Sequence, residues 1–425
     1  MFSTIKSAWH NADIRKKILF TILMIFLFRV GSSIPVPFIN TDALSEYFAS
    51  MNGTIFGVMN VMSGGAFAMA TFFALGVQPY INASIIIQLL TVAIPALERI
   101  AKEEGEAGKK KMENITRYTA VGLGFVQALG YYAILSRNGL LAESAVGVWW
   151  KAAIIIAAFA AGSVVIMFMG KAIDKGGIGN GISLILFAGI IARLPNDLVQ
   201  TYNYINVGIL KWWAATLVYL GAVAIILMIV FVYDAERRIP IQYARRVVGN
   251  KAYGGNNTFL PIKVNMSGVM PIIFAQSVAS IPATIAAFIG KSDSAWANTD
   301  NLWYILAYTL LIIFFAYFYA SIQFNTVEIA NNLKNNGGII PGYRPGKPTG
   351  QLLQTILNKI TLFGAIYLAI VAVLPMLCSH FFSAVSMTGL SLGGTSVIIA
   401  VGVILDTLRD VETKLITRNY SGILK

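Results

Sequence analysis

Charge is scarce in this 425-residue chain: Asp, Glu, Lys and Arg together make up 12% of it, against about 25% in ordinary soluble domains. Apolar residues fill the gap at 57%, and the mean hydropathy is +0.70. No single soluble core absorbs that much apolar surface, so the bilayer is expected to act as solvent for most of the chain. Cysteine is nearly missing, and the lone Cys378 excludes an intrachain disulfide. With His10 and His380 as the only histidines, no spacing resembles a zinc or haem site, so neither metal nor cofactor is expected. A phosphate-binding loop is also lacking. Gly342-Tyr343-Arg344-Pro345-Gly346-Lys347-Pro348 has the wrong glycine spacing and carries Pro348 where Ser or Thr should follow the lysine. Any transport by this chain must therefore draw its energy from elsewhere.

What is present is a series of long apolar runs. Ten segments could span a membrane, at about 18–37, 76–97, 118–136, 152–170, 178–194, 212–233, 264–289, 302–324, 356–378 and 389–408. The first follows Lys6, Arg15, Lys16 and Lys17 and runs into Pro35 and Pro37 with no small-residue cleavage motif, which reads as a retained span. Residues 47–97 hold no charge and could make two spans on length alone. Two spans there would export Arg99, Lys102, Lys109, Lys110, Lys111 and Arg117, so one is expected, and part of 47–75 enters the membrane without crossing. With both termini inside, 26 of the 32 Lys and Arg fall on the cytoplasmic side, five outside, and Arg29 within the first span. That bias supports a multi-pass membrane protein with both termini on the cytoplasmic side.

The span interiors are otherwise almost free of ionisable residues, which counts against ion-coupled transport. The second and seventh spans carry uncharged polar residues instead: Gln78, Asn82, Ser84, Gln88 and Thr91 in one, and Asn265, Ser267, Gln276, Ser277, Ser280 and Thr284 in the other. Both also bear prolines and share the pattern G-V-x-P-x-I-x-A, at Gly76–Ala83 and Gly268–Ala275. Five spans per half would make the two copies inverted, with function at the interface between repeats. The charge-free stretch 52–65 is too short to span and ends in Gly64-Gly65, which suits a small re-entrant helix. The long inner loops 234–263 and 325–355 read as polar connectors serving as docking surfaces.

Across nearly its whole length the chain resembles the SecY family, the channel subunits of the bacterial Sec protein translocon. The resemblance rests on Phe28-Arg29-Val30-Gly31 with Ile34-Pro35-Val36-Pro37, on Ser63-Gly64-Gly65, and on Ala74-Leu75-Gly76 with Pro79-Tyr80-Ile81-Asn82-Ala83-Ser84. It continues through Gly177-Ile178-Gly179-Asn180-Gly181-Ile182-Ser183, Pro261-Ile262-Lys263-Val264-Asn265-Met266-Ser267-Gly268, Ile340-Pro341-Gly342-Tyr343-Arg344-Pro345-Gly346 and Gly393-Gly394-Thr395-Ser396. It implies an all-α membrane protein with an hourglass pore between two inverted five-helix halves, residues 1–200 and 201–425. A plug near 54–65 would use Ile55, Phe56, Val58, Met59, Met62, Ser63 and Gly64. A pore ring would be formed by Val77, Ile81, Ile182, Leu186, Ile273 and Ile399. Narrow aliphatic rings dewet and block ions, yet part around an unfolded chain.

The same resemblance makes the second and seventh spans the sides of a lateral gate, with Gln88 and Asn265 as its polar positions. It implies that the SecA ATPase or a translating ribosome docks through Arg344, Arg245 and Arg246, whose guanidinium forks suit carboxylates and phosphates alike. Small partner subunits, SecE and SecG, would clamp the halves. Substrates would be secretory polypeptides with signal sequences, and membrane lipid would receive the segments released sideways. Two other readings remain: an inverted-repeat transporter of a small solute, opposed by the absent midplane charges, and a membrane enzyme, for which no catalytic cluster is visible.

Overall fold

The computed structural model describes residues 9–50, 54–103, 105–143, 147–243, 246–248, 251–253, 258–289, 298–299, 301–381 and 393–423. Fourteen helices are described: α1 Ala12–Gly31, α2 Thr41–Ser50, α3 Ile55–Met62, α4 Gln78–Ala93, α5 Pro95–Glu103, α6 Gly105–Arg137 and α7 Val148–Gly176, then α8 Gly181–Asn206, α9 Trp212–Asp234, α10 Met270–Ile289, α11 Leu302–Gln323, α12 Thr326–Asn335, α13 Lys347–Phe381 and α14 Gly393–Ile423. Each predicted apolar segment overlaps one of the ten longest. By length and composition, six helices could cross a membrane: α6, α7, α8, α9, the run 302–335 that contains α11, and α13. The pair α4 and α5, bent by 107°, makes a seventh if taken as one span.

The bend has a local cause. Proline crowds the residue before it out of the helical region, and Ile94, just ahead of Pro95, is extended at φ −111°, ψ 111°. The predicted run 76–97 is thus two helices, with α5 turning away as an amphipathic piece. Helix starts follow the capping rule: the side chains of Asn180, Asn301 and Asn325 accept the N–H groups of Ser183, Trp303 and Glu328 at 3.0, 3.1 and 3.3 Å. The ten-residue helix α2 was not expected from the sequence.

Two expectations are corrected in the loops predicted to face the cytoplasm. The chain is not purely helical, and its two long inner loops are not irregular connectors. Five strands lie among the described residues: β1 Glu236–Tyr243, β2 Arg246–Val248, β3 Lys251–Tyr253, β4 Thr258–Lys263 and β5 Gly338–Ile339. One sheet runs β4-β1-β5, antiparallel throughout, and β2 pairs with β3. Since β5 belongs to the second inner loop, pairing Gln242 with Ile339 joins the loops into one body. Its core is Ile239, Ile262, Phe324, Ile340, Leu353 and Leu357. Burying each such side chain from water is worth about 1.5–3 kcal/mol, enough to order segments that look polar in sequence.

Helices α1, α4, α6, α7 and α8 pack on one another, as do α9, α10, α11, α13 and α14. The two groups meet where α4 and α6 face α10, and again where α8 faces α14. The short helix α3 lies between the groups and touches both α8 and α14.

Candidate functional site

Helix α3 closes on itself. The N–H of Gly65 reaches the carbonyl of Asn60 at 2.9 Å and that of Gly64 reaches Val61 at 3.1 Å, with both glycines at positive φ, 69° and 91°. This is the Schellman arrangement, which satisfies the last carbonyls of a helix and needs a left-handed residue after it. The chain then runs through turns, and these stay buried at Ala66, Phe67, Ala70, Phe73, Ala74 and Leu75. Buried irregular backbone must find partners, and here it does. Val36 donates to Ala70 O, Phe72 to Ile34 O, and the Tyr131 hydroxyl to Phe67 O at 2.5 Å. Gly76, at φ 55°, turns the chain into α4, with proline in that helix's first turn.

That geometry puts Val77 and Ile81 one helical turn apart at the start of α4. Val77, Ile81, Leu186, Ile273 and Ile399 are all buried and belong to one apolar cluster, and the half-buried Ile182 packs against it. Ile182 also leans on α7, its Cδ1 lying 2.5 Å from where a Cβ on Gly170 would be. Phe56, Val58 and Met62 join the same cluster, with Met59 half-buried beside it. The side chain of Ile55 lies outside the described residues. Ser63 Oγ caps the turn after the helix, accepting the N–H of Phe67 at 3.0 Å. Residues predicted as ring and plug are therefore brought together, although they come from α3, α4, α8, α10 and α14.

The fit of α3 against α8 is backbone on backbone. A Cβ on Gly189 would meet Met62 O at 2.6 Å, and one on Gly64 would lie 3.0 Å from the Cα of Gly189. From α1, Arg29 Nη1 donates to Gly64 O at 3.0 Å. From α4, Gln78 Nε2 approaches Met62 Sδ at 3.5 Å. Neither contact is legible in the sequence.

Beside α3, between α4, α6 and α10, lies a cleft of about 240 Å³. Ile85, Ile86, Val126, Ile281 and Ile285 give it an apolar wall, while Asn82 Oδ1, Gln127 Oε1 and Ser277 Oγ line it without a hydrogen-bond partner. Gln88 and Asn265 do not line it: Gln88 bonds Ser84 Oγ of its own helix at 3.0 Å. Asn265 is buried, with Val264 and its own Cα close against Gly364 of α13. The residue that sequence reasoning missed here is Gln127. Its signal was a lone amide in the apolar run 118–136.

In the loop after β5, Arg344 is exposed, and its carbonyl accepts the Thr349 hydroxyl at 2.8 Å. Arg246 begins β2, and Arg245 lies outside the described residues. Nearby, α14 reaches both helix groups. Arg409 bonds Asp234 at 2.7 Å and stacks on Tyr233, whose hydroxyl bonds Asp406. Asp410, past the inner end of the tenth predicted span, accepts the N–H of Gly179 at 2.9 Å and pairs with Lys414 at 2.7 Å. Burial pushes the Asp410 carboxyl up, but the bonds from Lys414 and Gly179 outweigh it and leave its pKa below the usual value. Desolvation pulls Lys263, at the end of β4, below the ordinary lysine range.

Two groups of helices meeting around a short buried helix, with a gap between α4 and α10, define a protein-conducting channel fold. A solved protein-conducting channel superposes with a TM-score of 0.66 at 17% identity, covering 95% of this chain and 93% of that one. Sec61 from the canine ribosome-channel complex gives 0.63 at 15% identity with the same coverage. The family model for SecY matches residues 71–408. The protein translocase subunit SecY of Mycobacterium bovis is 42% identical over 447 aligned residues, and that of Aquifex aeolicus 40% over 433, each alignment covering both chains entirely. The chain belongs to the SecY family of protein translocase subunits.

Proposed function

We propose that this chain is a passive channel through which unfolded polypeptides cross the cytoplasmic membrane and from which apolar segments leave sideways into lipid. The observation that carries the reading is the single buried cluster uniting α3 with six aliphatic residues from four helices of both groups. On this reading the ten long helices all span, as two inverted halves divided near residue 200, with both termini cytoplasmic. Val77, Ile81, Ile182, Leu186, Ile273 and Ile399 form the constriction. Aliphatic side chains offer ions no stable site, so the closed ring blocks conduction without chemistry of its own. Helix α3 is the plug that seals it from the outer side. A solved structure of a SecY protein describes a plug domain that stabilises the closed state and maintains a membrane seal, and it superposes with a TM-score of 0.68 at 17% identity over 95% of this chain and 93% of that one.

The cleft between α4, α6 and α10 is the lateral gate. Its apolar walls favour an apolar signal sequence, while its unpartnered amides and hydroxyl keep the contact between helices weak enough to part. Gln88, on α4, and Asn265, just ahead of α10, are the gate's polar positions on the same two spans, outside the lining of the cleft itself. The inner sheet and Arg344, with Arg245 and Arg246, form the docking face for the SecA motor or a ribosome. Solved relatives in ribosome complexes support the latter partner. SecE and SecG brace the two halves.

The test is reconstitution of the chain with these small subunits in proteoliposomes, with motor, nucleotide and an unfolded secretory precursor. Motor-dependent protection of the precursor from external protease is expected. Failure of protection in vesicles that accumulate a small solute would instead favour a transporter.

A further inference from the structure

Within the first predicted span, Arg29 is the one charged residue, and the proposed function leaves it without a task. Its place is set by its neighbours in sequence. Phe28 is buried and stacked on Phe73, with ring centroids 5.9 Å apart at 9°. Two residues beyond Arg29, Gly31 closes so tightly on the Phe73 ring that no Cβ fits. The end of α1 is thereby pinned to the segment that follows α3, and Arg29 projects from it to Gly64, 35 positions later in the chain.

Gly64 O is not one of the carbonyls that the helix end must satisfy. The Schellman bonds from Gly64 and Gly65 already occupy Val61 and Asn60. Arg29 therefore completes nothing inside α3; it links a finished helix to α1. A guanidinium at a helix C-terminus is also favoured by the helix dipole, and a charge-assisted bond is about twice as strong as a neutral one. The rest of the fit is apolar burial of Phe56, Val58 and Met62, a thioether contact from Gln78, glycine backbone packed on Gly189 and a β-bridge from Thr54 to Asn298 ahead of the helix, none of which sets a charge at the end of α3. Arg29 itself stays exposed, and arginines within spans face the bundle interior or a water-filled cavity, so water can replace Gly64 O when the helix leaves.

We infer that Arg29 is a positioning residue, the polar tether that holds α3 in its closed place and lets it go as an intact helix. This rests on the reading of α3 as the plug.

The experiment compares four complexes, reconstituted with the small subunits in planar bilayers: wild type, Arg29→Gln, a deletion of residues 55–63, and both changes together. Resting open probability should rise about tenfold or more in Arg29→Gln, the worth of one charge-assisted hydrogen bond. Arg29→Lys, which keeps the charge but loses the fork, should fall between. In the deletion background Arg29→Gln should add nothing, a result that a merely structural role would not produce. A deletion that stays ion-tight overturns the plug reading itself. A leaky deletion beside a tight Arg29→Gln overturns the tether alone, as does additivity of the two. If Arg29→Gln does not assemble, the rate at which a water-soluble thiol reagent labels Val58→Cys, with Cys378→Ser, is read in Arg29→Lys. Faster labelling than with wild-type Arg29 supports the tether, and an equal rate overturns it.

Discussion

The Asp410 carboxylate, on the last helix, accepts the backbone N–H of Gly179, in the turn that opens α8, at 2.9 Å. The two residues belong to different helix groups, so this bond closes the seam between α8 and α14 opposite the cleft. Gly179 has φ +75°, and a Cβ there would meet Thr407 Oγ1 at 3.0 Å. Glycine in the Gly177–Gly181 motif is thus required by both conformation and space.

Asp410→Ala is expected to cost about 1 kcal/mol, the usual worth of a hydrogen bond to a part-buried donor, and to lower the thermal midpoint of the purified complex. Asp410→Asn, which keeps an acceptor, should cost less. Because the carboxyl pKa lies below its unfolded value, its contribution is present above the ordinary Asp pKa and fades as pH falls through the lowered one. The gap between the melting points of wild type and Asp410→Ala should narrow as pH falls below the ordinary Asp value near 3.9. A gap that stays constant as pH falls beneath that value contradicts the assignment.

Ile81→Ser and Ile273→Ser should each widen and wet the proposed constriction. The expected outcome is a larger ion leak through the resting channel in planar bilayers. Large-to-small changes at buried aliphatic sites cost about 2–5 kcal/mol, so leak is compared at equal amounts of assembled complex. Unchanged conductance would remove these residues from the ring.

Photo-reactive side chains at Ile86 and Ile281, on the walls of the cleft, should capture an engaged signal sequence. The same probe at Leu220, exposed on α9, should not. Equal capture at all three positions would dissolve the gate.

Arg344→Glu should lower motor-driven transport at least tenfold while the protein still inserts and pairs with its small subunits. Reversal of charge on an exposed side chain leaves folding nearly untouched, so loss of transport reports docking. Normal transport would move the docking face elsewhere.

Much of the helical layout was legible because partition into lipid depends on local composition, and apolar runs such as 212–233 and 302–324 declare themselves. The short helix at 54–65 was legible from its length and its glycine pair. The inner sheet was not, since β1 turns only Ile239 and Ile241 inward and is finished by a strand from the next inner loop. The six residues proposed for the ring were placed by resemblance, not by any periodicity of their own: an isoleucine at 273 looks like any other in an apolar helix. The cleft was half legible. Asn82 and Ser277 stood out as polar flecks, whereas Gln127 did not, and Gln88 and Asn265 turn out to lie away from its lining.

Composition alone settles that this chain is built for a bilayer and where its apolar helices run, because each of these is a sum over neighbours in sequence. Which side chains meet is another matter. The approach of Arg29 to Gly64, of Met62 to Gly189 and of Asp410 to Gly179 spans 35 to 231 positions of chain, and each needs a glycine backbone presented at one angle to another helix. Such contacts exist only once the helices have packed, so the tertiary structure alone decides which of these side chains and backbones meet.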